Sequence, residues 1–529
     1  MPSANETLLT SAQPTLPHRW VWLILGVLFG TTLLALLALL RWPLSDTQGL
    51  WQDPWFWQVV RFTFWQALLS SALAVGLALP LARALALDAR LPGRDTFLRW
   101  CLICFVMPSL VLITGLVILF GRQGWLTPWM PGQWQLYGLN GILLAHVFLN
   151  LPLAVRVLTF QWQGIPGSAW KMAAQLSLTP WQRFKWLEWP AIRTLLPALA
   201  GFIFLLCFNS FAVVLALGGG PAASTLEVAI FQALKYQFNP AEAVGLALTQ
   251  LFLAGGLFWM LSRLGQFQWL APAGDTSGWR PKTGLIACWM GRVYYLLVIL
   301  FLTLPVLSLM PSAWLGLGWH FPWQRFFTAT GWSILFSLGA ASLSVLFALL
   351  LSWSATQRPH PFWSRLIGLG ALHHLVVPGM VLSVGLYIFF MVWVDWLRWG
   401  WVAVVLLNSL VALPFAYSQL YPALQQYFAN YRRLSLSLSL TGWPHWSFVV
   451  WPYLRPALQR VAGLCWILVL GDLAIVGVFD APAYTTLPWL IYDLAGSYRL
   501  QEAAFAALGL LILALVSLHW LEKERTHAH

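Results

Sequence analysis

Charge is scarce in this sequence. Only 9% of its 529 residues are Asp, Glu, Lys or Arg, against about 25% in a typical soluble domain. A water-soluble chain of this length needs a polar outer surface, and 29 basic and 16 acidic residues cannot cover one. Cysteine is also sparse. The five residues Cys101, Cys104, Cys207, Cys288 and Cys465 lie in or beside apolar runs, which argues for small buried side chains and against a disulfide framework. Cys101 and Cys104 form a CxxC, but no second pair or histidine cluster follows at zinc spacing. A GxxxxGK[ST] phosphate loop is missing, so the chain is not expected to hydrolyse ATP itself. Acid, base and metal groups do not converge as an intramembrane enzyme requires. The reading is therefore non-catalytic, with no catalytic residue and no metal site.

Apolar surface, by contrast, is abundant. Hydrophobic residues make up 60% of the chain and the mean hydropathy is +0.74, which excludes a disordered polypeptide. A membrane-spanning helix needs about 20 apolar residues. Runs of that kind fall near 20–40, 62–84, 97–120, 140–160, 195–217 and 243–264, then near 293–310, 328–353, 370–392, 400–416, 458–479 and 503–521. The expected fold is all-α and polytopic, with about twelve transmembrane helices. A polar stretch at 265–292 divides them into a first repeat, 1–264, and a second, 293–529. The run Trp20–Leu40 exceeds a signal-peptide core of about 7–15 residues, so it is expected to be retained as the first span.

The net charge of +13 sits in short loops between apolar runs, a distribution that does not suit nucleic acid. Most of the Lys and Arg residues fall on one side if the amino terminus is cytoplasmic, as the positive-inside rule requires. Both termini are then cytoplasmic, in a bacterial inner membrane.

The two sets of spans are related. Pro108-Ser-Leu-Val111-Leu112-Ile-Thr-Gly115-Leu116-Val-Ile118-Leu-Phe120 recurs as Pro378-Gly-Met-Val381-Leu382-Ser-Val-Gly385-Leu386-Tyr-Ile388-Phe-Phe390. Farther on, an offset of 262 maps Trp181 onto Trp443, Trp189-Pro190 onto Trp451-Pro452, and Arg193 onto Arg455. Six spans separate the copies, so both run in the same direction. Parallel repeats of this kind place a pathway between the halves.

The loop after each half's fourth span carries the clearest pattern. It runs Lys171-Met172-Ala173 to Ser177, Thr179-Pro180-Trp181 and Pro190 in the first copy, and Arg433-Leu434-Ser435 to Ser439, Thr441, Trp443 and Pro452 in the second. Each reads as a short helix, a turn at Thr179-Pro180 or Thr441-Gly442, and a second helix. Apolar side chains in a basic loop suit either docking onto another protein or lying on the membrane surface.

This spacing resembles the EAA loop of ATP-binding-cassette importer permeases, the binding-protein-dependent transport family. Lys171 and Arg433 stand where that pattern has glutamate, and Ser177 and Ser439 stand where it has glycine. Further stretches, among them Trp51-Gln-Asp-Pro, Arg61-Phe-Thr-Phe-Trp-Gln-Ala67, Tyr137 to His146, Leu217 to Pro221, Thr486-Leu-Pro488 and Gly496 to Arg499, are similar to permeases of bacterial thiamine and thiamine-pyrophosphate importers in fused, double-length form. The resemblance implies a non-catalytic permease subunit. Its loops would couple to an ABC ATPase dimer that uses the ATP, and a periplasmic binding protein would deliver the solute. Double-length permeases of the ferric-iron type share the architecture. The class competing with all of these is an ion-coupled secondary transporter, which is expected to carry several intramembrane acids.

Only Asp472 clearly stands as such an acid. With Asn209 and Ser210, which it matches in the first half, it is a candidate for the translocation pathway or for an inter-helix hydrogen bond. Outward stripes at Leu226, Ala229, Ile230, Ala233 and Leu234, and at Leu487, Leu490, Ile491, Leu494 and Ala495, form one apolar face each at helical spacing. Each face would pack on its own bundle or form a rim for the binding protein. His146, His373 and His374 are expected to pack or cap.

Overall fold

A computed structural model of the chain describes residues 18–41, 49–88, 91–132, 134–262, 284–318, 320–357, 361–437, 442–479 and 484–523. Its helices in the first half are α1 (His18–Leu40), α2 (Pro54–Leu87), α3 (Arg94–Val106), α4 (Ser109–Phe120), α5 (Leu139–Gln163), α6 (Gly167–Gln175), α7 (Pro180–Ile192), α8 (Leu196–Phe208), α9 (Ala212–Leu217), α10 (Leu226–Lys235) and α11 (Pro240–Ser262). The second half continues with α12 (Leu285–Gly316), α13 (Trp323–Gln357), α14 (Pro361–Leu372), α15 (Gly379–Trp393), α16 (Trp396–Ser437), α17 (Gly442–His445), α18 (Trp451–Leu470), α19 (Ala474–Phe479), α20 (Leu487–Gly496) and α21 (Leu500–Lys523). The protein is an all-α polytopic membrane protein. Seven helices are long and apolar enough to cross a bilayer unbroken, and three bent pairs bring the number to ten. The linker expected at 265–292 lies outside the described residues up to 283.

Several spans expected as single rods are broken. The run at 97–120 turns by 99° between α3 and α4, and that at 370–392 by 84° before α15. Both breaks fall at the repeated prolines, Pro108 and Pro378. Proline donates no amide hydrogen and forces the residue before it out of helical geometry; Met107 duly has ψ 134°. The runs at 195–217 and 458–479 also divide, at Asn209–Phe211 and at Gly471–Leu473. Over 400–416 the outcome is the reverse, because α16 runs unbroken for 42 residues through the span and into the coupling loop. The first copy stops between α5 and α6 at Gly164-Ile165-Pro166, and the 262 offset puts Gln426-Tyr427-Phe428 there, with no breaker.

The chain forms two compact units that do not follow chain order. One contains α1 together with 323–489 and the carboxyl-terminal end, and the other contains 45–322 with 490–510. Within the first unit α1 packs on α15, where Gly385 lies so close to Ala35 that an added Cβ would collide with its carbonyl. Within the second, α12 packs on α4, and a Cβ on Gly115 would collide with the Pro305 carbonyl. The repeated glycines therefore mark the same event twice, the seating of a helix from the other sequence repeat. Small residues at such crossings let backbones approach closely. The core of the first unit includes Leu28, Ala340, Leu351, Leu413, Leu424 and Cys465, all buried.

Gly385→Val is expected to cost about 1–3 kcal/mol through overpacking. A lower thermal midpoint of the purified protein checks this, and an unchanged midpoint contradicts the close approach.

Candidate coupling loops and pathway residues

The first coupling loop is built from local rules. Thr179 caps α7, its Oγ1 accepting from the Gln182 amide at 3.3 Å while Gln182 Oε1 accepts from the Thr179 amide at 2.9 Å; this reciprocal box satisfies two otherwise orphaned donors. Pro180 sits at the first helical position, where a missing N–H costs nothing. Ser177 has φ +51°, the left-handed conformation that glycine adopts without strain. That backbone demand accounts for glycine at this point of the family pattern.

One side of the loop is anchored and the other is free. Trp170 and Ala173 are buried, whereas Lys171, Ser177, Thr179, Pro180 and Pro190 are exposed. Met172, Leu176, Trp181 and Trp186 are large exposed apolar side chains, Trp181 at 70%. In the second copy Leu434, Trp443 and Phe448 are exposed likewise, as is Pro452. Arg433 and Ser435 lie on α16, while Ser439 and Thr441 lie outside the described residues. His445 accepts a hydrogen bond from or donates one to the Tyr427 hydroxyl at 2.8 Å, and burial lowers its pKa.

The anchor itself has a residue pair that sequence reasoning did not single out. Glu188, 1% exposed in the π-turn Phe184–Glu188 of α7, accepts from Arg83 Nε at 2.6 Å and from Arg83 Nη2 at 2.9 Å. Trp162 Nε1 donates to the same carboxylate at 3.2 Å. The loop is thereby bolted to α2 and α5 by a bidentate, charge-assisted contact. In the second half the offsets 270, from Thr63 to Ser333, and 262 place Trp353, Val450 and Leu424 at these positions. All three are buried in one apolar cluster. A polar bolt in one copy is an apolar one in the other. The signal available beforehand was an acid in a basic loop, opposite an arginine at the inner end of a span.

The candidate pathway residues all sit at helix breaks. Asp472 accepts from the amides of Ala474, Ile475 and Val476 at 3.2, 3.2 and 3.3 Å, so it caps α19. Asn408 Nδ2 donates to it at 3.4 Å. In the first half Ser210 meets His146 Nε2 at 2.9 Å, and Asn209 Oδ1 accepts from Gln250 at 3.4 Å. The offset of 262 that relates Ser210 to Asp472 also relates His146 to Asn408. The same bridge from span to break thus occurs in both copies with different chemistry. His146 further meets Ser70 at 3.0 Å, and His373 meets Thr32 at 3.0 Å, so both serve packing as expected. Cys101, Cys104, Cys207 and Cys465 are buried.

The outward stripes are packed. Leu226, Ala229, Ile230, Ala233 and Leu234 are each at most 5% exposed, and Leu487, Leu490, Ile491 and Leu494 at most 1%, although Ala495 is exposed. The first amide of each helix donates to a hydroxyl, Leu226 to Thr63 at 3.1 Å and Leu487 to Ser333 at 2.7 Å.

Duplicated broken spans, short inserted helices and paired inward loops define a double-length transport permease. No family model matches the chain. Among curated proteins it is 37% identical over 543 residues to the thiamine transport system permease protein ThiP of Escherichia coli (strain K12), covering 98% of each chain. It is 38% identical to the protein of that name from Salmonella typhimurium, again over 98% of each, and 34% identical to that of Haemophilus influenzae over 87% of each. The chain belongs to the ThiP family of transport system permeases.

Two outcomes test these sites. Glu188→Leu alone strands Arg83 and is expected to cost about 2–4 kcal/mol, at the low end for a part-exposed partner. Adding Arg83→Met, which imitates the apolar second copy, is expected to recover most of that in denaturation midpoints. Asp472→Asn keeps a good cap but removes the charge. If Asp472 serves the pathway, transport falls while the complex still assembles; unchanged uptake leaves the residue as a cap only.

Proposed function

We propose that this chain is the membrane permease subunit of an ATP-driven importer for thiamine or its phosphate esters. The observation that supports this reading most is the match to thiamine transport permeases along 98% of the chain. The two loops whose anchored cores present exposed Trp181 and Trp443 add to it. In this reading a separate ABC ATPase dimer binds and hydrolyses ATP, and the chain itself binds no cofactor. The exposed faces of α6, α7 and α17 seat in the ATPase, and its closure pulls on α2 through the Arg83–Glu188 bolt and on α13 through the Trp353 cluster. Lys171 and Arg433, standing where related loops carry an acid, call for a carboxylate on the partner surface, since opposite charges set register at such contacts. A periplasmic binding protein delivers the solute. Both termini face the cytoplasm of a bacterium whose inner membrane holds the complex.

Large aromatic side chains that fill a partner's pocket carry much of an interface's affinity. Trp181→Ala with Trp443→Ala is therefore expected to weaken ATPase association by about tenfold or more, measured by titration of the purified subunit. The function itself is tested by ATP-dependent uptake of labelled thiamine into proteoliposomes holding this chain, its ATPase and its binding protein. Accumulation of another solute but not of thiamine refutes the vitamin reading, and uptake driven by an ion gradient without the ATPase refutes the class.

A further inference from the structure

The outer half of α2 carries a concave surface that none of the roles above uses. A cavity of about 960 Å³ is lined by Trp57, Gln58, Arg61 and Trp65 of α2, by Phe204 of α8 and by Leu257 of α11. That volume is typical of small-molecule sites. The α2 residues recur at three- and four-residue steps and so share one face. Trp57 and Trp65 are 58% and 52% exposed, and Phe64 beside them packs edge-on against Phe208 at 5.3 Å.

Arg61 is the cavity's single charge. It is exposed, and among the described residues no carboxylate pairs with it. An unpaired arginine in a span is costly and by default marks a ligand or a water-filled path. Guanidinium groups suit phosphate, with which they form paired, charge-assisted hydrogen bonds. The repeat adds a second observation. Offset 270 puts Gly331 at the position of Arg61, Leu335 at Trp65 and Phe327 at Trp57. The cation is confined to one copy, as a site for a ligand with unlike ends requires.

We propose that this cavity is a binding site on the transport route for a phosphorylated heteroaromatic ligand, with Arg61 holding the phosphate and Trp57 and Trp65 stacking the rings. This rests on the transport reading above and refines its substrate class. Free thiamine carries a positive charge and gains nothing from Arg61, whereas its pyrophosphate ester is anionic at that end. The same guanidinium would also suit the phosphate of a lipid headgroup. The proposal commits to the solute, and the experiment separates the two.

Initial uptake rates of thiamine pyrophosphate and of thiamine are compared in proteoliposomes with one binding protein and one ATPase, for the wild type, Arg61→Gln and Arg61→Lys. Arg61→Gln is expected to slow the pyrophosphate about 10- to 100-fold, the worth of a charge-assisted contact, and to leave thiamine within about twofold. Arg61→Lys should retain most of the pyrophosphate rate. Equal slowing of both solutes means that Arg61 holds a lipid or the fold, and overturns the assignment. So does no change in either rate. A wild type that carries thiamine but not its pyrophosphate overturns this inference alone; one that carries neither removes the transport reading as well.

Discussion

A bilayer offers no hydrogen bonds, so every backbone break within it must be satisfied by the protein. That constraint organises this molecule. Four of its apolar runs are interrupted within the bundle, and at the informative breaks a side chain takes over the orphaned groups. Asp472 receives three amides of α19. Thr63 and Ser333 receive the leading amides of α10 and α20. Broken helices of this kind are tolerated where they are enclosed by protein or line a cavity. The places where the rods fail are thus the places where polar groups can be held at depth.

The duplication was used conservatively in geometry and freely in chemistry. Gly115 and Gly385 admit a foreign helix at the same point of each copy, and a hydroxyl caps the same inserted helix twice. The bridges to the breaks, however, are His146–Ser210 in one copy and Asn408–Asp472 in the other. The coupling loop is bolted by Arg83–Glu188 in one and by Trp353, Val450 and Leu424 in the other. Replacing a buried ion pair by apolar groups of similar volume is often neutral or stabilising, so both solutions can fix a loop. They differ in specificity, because the ion pair fixes orientation as well as distance.

Much of this was legible in the sequence. Hydropathy located every span, and the registered Trp, Pro and Arg residues exposed the duplication. The EAA-like spacing located both loops and the residues that face outward on the first. What hydropathy cannot register is a bend, since proline and glycine alter the backbone without changing the apolar count; hence Pro108 and Pro378 passed as span interiors. The Arg83–Glu188 bolt was hidden for another reason. Its partners are 105 positions apart, and a charge near a span's end reads as solvated until a structure closes the distance. Ser177 was noticed as a departure from glycine, but only the backbone angle of +51° explains why glycine belongs there.

The account stands on the two loops engaging one motor subunit each. The direct measurement is site-specific crosslinking from single cysteines placed at Trp181 and Trp443, in a background free of the native thiols, with the ATPase present in membranes. Crosslinks from both positions to the ATPase, altered by nucleotide, are the expected result. Labelling of both positions by lipid-phase reagents alone, with no adduct to the ATPase, would contradict the account.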